Sequence, residues 1–394
     1  MDGALNIPPP LAAYVHFPWC VRKCPYCDFN SFTLHDALPE RVYIDALKAD
    51  IDAQSAPLAG RPLVSVFLGG GTPSLFPPAA IAEVLGHLSR ALPFAPDAEV
   101  TLEANPATVE RGRFAEYRAA GVNRVSLGAQ SFDPGILKVL GRIHVPEDVR
   151  RAAEELHACG LSNFNLDLMF ALPGQSTEGA LADLRAALEL EPAHLSHYQL
   201  TLEPGTVFAA LPPRGLPDDD TSWSMQEACH EQLARQGFGQ YEVSAFARQG
   251  RRCVHNLNYW GFGDYLGIGA GAHGKLTSQL PFRIARTQQQ REPRRYLAQP
   301  VAGLQRRDVP PVELPFEYAM NALRRVEGFR TDDYVARTGL AASTIERPLA
   351  GLLERGLVQS LPGGWATTPL GFRFLNEVLG EFLAGPNSGT VAGG

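Results

Sequence analysis

Short apolar runs alternate with amphipathic stretches through the first half of the chain. The runs AAYVHF (12–17), LVSVFLG (63–69), EVTLEA (99–104), RVSLGA (124–129), NFNLDLMF (163–170) and HLSHYQL (194–200) predict six strands. Helical patterns fall between them at 38–54, 77–91, 108–119, 146–158 and 176–190. Ser176 precedes an acidic first turn with Glu178, and Pro146 precedes Glu147 and Asp148, both of which read as helix starts. Six strands alternating with helices imply a parallel sheet covered on both faces. Periodicity leaves an open sheet and an incomplete barrel equally possible, but polar and glycine residues gather at the strand ends, where such folds carry their chemistry.

The rhythm then changes. Residues 203–219 are rich in Pro and Gly and read as a connection, followed by a helix at 220–236 and a glycine-rich segment at 261–274. Residues 283–307 hold seven arginines against one acid, Glu292, which suits a solvated linker or else a docking patch for an acidic partner or ligand carboxylates. From 316 to 382 three short helices, a hairpin and a helix over 370–383 read as a winged-helix-like module with a structural role. The tail GPNSGTVAGG reads as disordered. The expected organisation is an extension at 1–11, an α/β domain at 12–210, a second region at 211–314, the small module at 315–383 and a tail at 384–394.

Composition narrows the function. A net charge of −7 argues against broad nucleic-acid binding. With no long apolar run and no apolar signal core behind Asp2, the chain is expected to be cytoplasmic. Six cysteines are too few for a disulfide scaffold, yet Cys20, Cys24 and Cys27 crowd into CVRKCPYC. Three thiolates on one loop suit a [4Fe-4S] cluster with one iron left open. A zinc site completed by His16 or Asp28 is the other reading of the spacing, and would fit a zinc-containing nucleic-acid-binding protein.

The C-x3-C-x2-C pattern, with Tyr26 before its last cysteine, resembles the signature of radical S-adenosylmethionine proteins. Gly69, Gly70, Gly71 and Thr72 follow directly after an apolar strand, where backbone polar groups can approach a ligand. The resemblance implies an incomplete (β/α)6 barrel with S-adenosylmethionine at the open iron. It also implies that Tyr14, Tyr26, Glu103, Gln130, Arg142 and Asp167 line the nucleotide site. Their chemistry fits: carboxylates for a ribose or ammonium, Arg142 for a carboxylate, and an amide for either role.

The segments VHFPWCVRKCPYCDFNSF, FLGGGTPSLF, LEANP, NRVSLGAQSF, LGRIH, LDLMFALPGQ, YQLTLEPGT and CVHNLNYWGFGDYLGIGAGAHG resemble the HemW-like heme chaperones, relatives of the oxygen-independent coproporphyrinogen III oxidases. The oxidases carry a further cysteine where this chain has Phe29, and a longer extension than the 19 residues before Cys20. The resemblance therefore implies binding of heme and its transfer to an acceptor protein, which could be membrane-associated, with an electron donor for the cluster. Radical decarboxylation of coproporphyrinogen III is the alternative. His255, Asn256, Tyr259 and Trp260 form the candidate heme-linked stretch, with Cys253 and His273 as other possible ligands. By chemistry alone His255 is more often a hydrogen-bonded core or loop histidine, and it is the resemblance that brings the heme-linked reading level with that one. Cys159 and Cys229 read as packing residues, and His197 near the end of the sixth strand fits either the cavity or strand-end packing.

Overall fold

The computed structural model describes residues 8–58, 60–106 and 113–383. The expected tail lies outside these residues, as do 1–7 and most of the first turns expected for a helix at 108. Six strands, β1 (Leu11–Phe17), β2 (Leu63–Gly70), β3 (Phe94–Ala104), β4 (Arg124–Gln130), β5 (Phe164–Phe170) and β6 (His194–Gln199), lie side by side in sequence order, all parallel. Their residues are buried on both faces, which is why they read as apolar runs and not as alternating ones. Helices Glu40–Ser55, Pro78–Ala91, Phe114–Ala119, Pro146–Ala158 and Thr177–Leu188 make the crossovers. Ser176 caps the last of them by accepting from the Gly179 amide at 3.1 Å, and Asp148 accepts from the Val145 amide at 3.0 Å.

The sheet does not stop at β1. The glycine-rich segment contains a seventh parallel strand, Asp264–Ile268, which pairs with the other side of β1. Antiparallel strands His273–Gln279, Phe282–Gln288 and Gln305–Asp308 extend it further, while Ala245–Ala247 and Gly239–Gln240 lengthen the far side beyond β6. The twelve strands form one open sheet, so the barrel is incomplete. The arginine-rich segment is thus not a linker. It forms two strands and helix Pro293–Ala298, and Arg286 is ion-paired with Glu317.

Helices Leu314–Ala322, Thr331–Thr338 and Ser343–Glu354 pack with the hairpin Val358–Leu361/Gly364–Thr367 around Tyr318, Phe329 and Tyr334 as a winged-helix-like module. The helix expected over 370–383 is two pieces, Pro369–Arg373 and Leu375–Gly380, broken at Phe374. Arg324 ties this module to the sheet, donating through Nε at 2.6 Å to the buried Glu242.

Candidate functional site

In several of the buried strands one residue of the run stays partly exposed: Tyr14 in β1, Gly128 in β4, Asp167 in β5 and, near the end of β3, Glu103. Gly128, Asp167 and Ser196 are register neighbours across three strands. These positions share one side of the curved sheet and line a cavity of about 1210 Å³.

The cysteine loop forms one rim of that cavity. Pairing of Trp19–Cys20 with Phe32–Thr33 closes the loop at its base, and the Leu34 amide donates to the Cys20 carbonyl. Cys20, Cys24 and Cys27 are all half-buried, unbridged and on the cavity wall. The glycines beneath hold this loop close. A Cβ on Gly71 would come within 2.6 Å of the Trp19 carbonyl oxygen, and one on Gly70, whose φ is +111°, would strike the His16 ring. Their amides are spent inside the protein: Gly70 donates to Glu103, Gly71 to the Phe17 carbonyl and Thr72 to the Trp19 carbonyl. These three amides are therefore already engaged and not free to donate to a ligand.

The donor set fits an iron–sulfur cluster. Burial pushes the Cys20 thiol up to about 11, against the pull of Thr72, and raises that of Cys27, so cationic iron would relieve a real desolvation cost. Arg142 reaches Cys24 Sγ at 3.7 Å and donates to the Gly128 carbonyl at 2.6 Å. Among the described residues no three His, Cys, Asp or Glu side chains converge on one ion-sized position. A mononuclear zinc site needs its sulfurs about 3.8 Å apart, from bonds of roughly 2.3 Å at tetrahedral angles, whereas a cubane takes each thiolate on a different iron.

Two partly exposed carboxylates, Glu103 and Asp167, lie on the same cavity wall. Burial lifts Glu103 to about 7, with Asp167 adding to the rise and the Gly70 amide opposing it. Asp167 is raised by burial too, and Asn165 and Ser126 donate to it. Gln130, at a φ of +67°, accepts from Tyr198 at 2.8 Å. Tyr14 bonds to His16 Nδ1, and Tyr26 packs on Phe208 while lining the cavity. Gly69 is packed against Phe67 and Glu103 and is not on the wall.

The helix Val254–Trp260 closes another side. His255, Asn256 and Tyr259 line the cavity, with Tyr259 edge-on to Tyr265. Trp260 does not reach it and packs with Tyr241, Ala245 and Ala247. His255 Nδ1 meets Ser65 Oγ at 3.1 Å, and burial pushes the ring down to about 3, so it is neutral near pH 7. The Cys253 thiol donates to Glu99, and burial lifts it to about 12, which withdraws it as a ligand. His273 is exposed on the rim. His197 is buried and stacked on Phe170, and Cys229 is core.

Glu99, Ser65 and Arg124 are participants that sequence reasoning missed. Glu99 is 5% exposed and accepts from the Val254 and His255 amides, each at 3.1 Å, with Arg124 Nε at 3.8 Å. A buried chain also joins the two halves of the site. Asp167 accepts from Asn165, Asn165 Oδ1 meets His194 Nδ1, His194 Nε2 meets the Tyr241 hydroxyl, and that hydroxyl accepts from the Cys253 amide.

Comparison with known proteins agrees with this arrangement. The Radical SAM superfamily model matches residues 14–187 and the HemN C-terminal domain model residues 309–374. The chain is 48% identical to the heme chaperone HemW of Escherichia coli over 376 residues, covering 95% of this chain and 99% of that protein. It is 45% identical to the Haemophilus influenzae heme chaperone HemW, covering 95% and 98%. The structure of E. coli HemN, a coproporphyrinogen III oxidase and radical SAM enzyme, matches with a TM-score of 0.81 over 96% of this chain and 92% of that one. At 24% identity that likeness speaks to the fold alone. With near-full-length identity to the two chaperones and a three-cysteine loop over a polar barrel mouth, the chain belongs to the HemW family of the radical S-adenosylmethionine superfamily.

Proposed function

We propose that this protein binds heme in the cavity and passes it to an acceptor protein. The carrying observation is that a neutral histidine, His255, opens into the same cavity as the three-cysteine loop. Neutral imidazole is a good iron ligand, and Tyr259 and Tyr265 beside it offer aromatic surface to a flat macrocycle. The family names of the relatives support the reading.

Cys20, Cys24 and Cys27 would hold the [4Fe-4S] cluster. Tyr14, Tyr26, Glu103, Gln130, Arg142 and Asp167, with the strand end at Gly70 and Gly71, would surround S-adenosylmethionine. When bound, the pair supplies one-electron chemistry, for which an external donor is part of the proposal. This chain's own contributions are to orient, to exclude water and to set charge. Arg142 spans Cys24 and the β4 backbone, and Glu103 and Asp167 supply the counter-charge for a cationic ligand. Phe29, exposed at the rim, offers neither thiol nor hydroxyl, which weighs against the oxidase reading. Among the described residues no helix is long and apolar enough to cross a membrane. We place the protein in the cytoplasm, with a membrane-associated hemoprotein among the acceptors it could serve.

The test is a heme titration of anaerobically reconstituted protein containing S-adenosylmethionine, followed by Soret absorbance. Saturation near one heme per chain, weakened by His255→Ala, is expected. Absence of saturable uptake with an intact cluster would overturn the proposal.

A further inference from the structure

The helix that carries His255 is only seven residues long, Val254–Trp260. So short a helix has little stability of its own, and its first amides have no partners within it. Glu99 supplies those partners from the strand beneath. Its carboxylate takes the Val254 and His255 amides at 3.1 Å each and the Cys253 thiol at 3.3 Å. The backbone that bears the imidazole is thereby fastened to the sheet.

The ring itself is held by a second strand. Ser65 in β2 is fully buried, and its hydroxyl lies 3.1 Å from His255 Nδ1. Nδ1 is therefore turned into the protein, and the residue's remaining surface lies on the cavity wall. Among the described residues Nε2 has no protein hydrogen-bond partner, while Phe67 and Tyr14 pack around the ring at 5.1 and 6.5 Å.

The geometry points to Ser65 and Glu99 as positioning residues for heme, which together present Nε2 of His255 to the iron. This rests on the reading that His255 meets heme. A neutral imidazole that gives its Nε2 lone pair to iron carries its proton on Nδ1. That proton needs an acceptor, and Ser65 Oγ is in place for it. Outer partners of this kind typically account for about 10–100-fold in metal affinity. Glu99 acts one step earlier, through the amides, and keeps the competing Cys253 sulfur occupied.

The experiment uses the full-length, anaerobically reconstituted protein titrated with ferric heme. Ser65→Ala is expected to weaken binding by about 10–100-fold and to shift the iron–imidazole stretch of the ferrous complex in resonance Raman spectra. Ser65→Thr, which keeps the hydroxyl, should restore both. A double-mutant cycle separates positioning from plain structural support. In a His255→Ala background, Ser65→Ala and Glu99→Gln should each cost nothing further, because both act through the lost ring. Additive losses, or a Ser65→Ala protein with wild-type affinity and spectrum, would overturn the inference while leaving the heme reading intact. A His255→Ala protein with wild-type affinity would sink the heme reading at this residue and the inference with it.

Discussion

Raising the pH from 5.5 to 7.0 should strengthen S-adenosylmethionine binding by roughly fifteenfold through Glu103, and Glu103→Gln should sharply reduce that dependence. Burial moves the Glu103 carboxyl from 4.5 to about 7, so ionising it in the ligand-free cavity costs about 3 kcal/mol. About 3% of the groups are then ionised at pH 5.5 and about half at pH 7.0. A cationic ligand that needs the carboxylate must pay for the missing fraction, which gives the factor above. The ligand's own α-ammonium, with an ordinary value near 7.7–8.0, stays charged over this window. His16 and His255, pushed down to about 4 and about 3, stay neutral, and His273 is lowered as well. Asp183 titrates at about 6, but it is engaged by Ser131 and Gln175 and is not part of the cavity wall. Anaerobic equilibrium dialysis at constant ionic strength measures the affinity. A flat wild-type profile, or an unchanged slope in Glu103→Gln, would refute the reasoning. The same shift has a sign for folding. A carboxyl raised by folding favours the native state most below about pH 4.5, and that advantage is lost as the pH rises through about 7. The ligand-free wild type should therefore lose stability relative to Glu103→Gln across that range, by a total approaching about 3 kcal/mol.

Two further perturbations test the frame of the site. Lys275 is fully buried, with Asp264 Oδ1 at 3.1 Å, so Asp264→Asn leaves a buried cation without its counter-charge and should cost about 3–5 kcal/mol in denaturant unfolding; a loss below 1 kcal/mol would show that the carbonyls of Phe262 and Gly263 suffice. Gly71→Ala drives a methyl toward the Trp19 and Phe17 carbonyls and should displace the cysteine loop, lowering iron and acid-labile sulfide per chain while the far-ultraviolet circular dichroism is kept. Full cluster loading in that variant would mean that the loop yields without consequence.

The six parallel strands were legible because burial on both faces leaves a continuous apolar run, and the cysteine loop because its spacing is local. Tyr14, Glu103 and Asp167 were reachable through the resemblance carried by the motifs around them. Ser65, Glu99 and Arg124 were not. Each sits inside a strand, and its role depends on a helix that begins up to 190 positions later in the chain, as with Ser65 and His255. Trp260 was misplaced for a related reason. A six-residue helical stretch cannot face one way, and residues 255 and 260 leave the helix on different sides. The strand Asp264–Ile268 was hidden within the glycine-rich segment 261–274, whose composition does not read as a strand until pairing with β1 is seen.

That last pairing bears on whether the barrel can exist by itself. β1, with Leu11–Phe17 buried almost throughout, is an interior strand only because residues 264–268 flank it. A fragment ending at residue 210 would contain all six strands of the expected barrel and all three cluster cysteines. It would also lay bare the five residues Leu11–Val15 along that edge, a template for adding strands from other molecules. The six N-terminal strands are thus flanked by a strand supplied from the second region of the chain. The cysteine loop leaves β1 and the helix Val254–Trp260 leads into Asp264–Ile268, so two sides of the cavity are carried by directly paired strands.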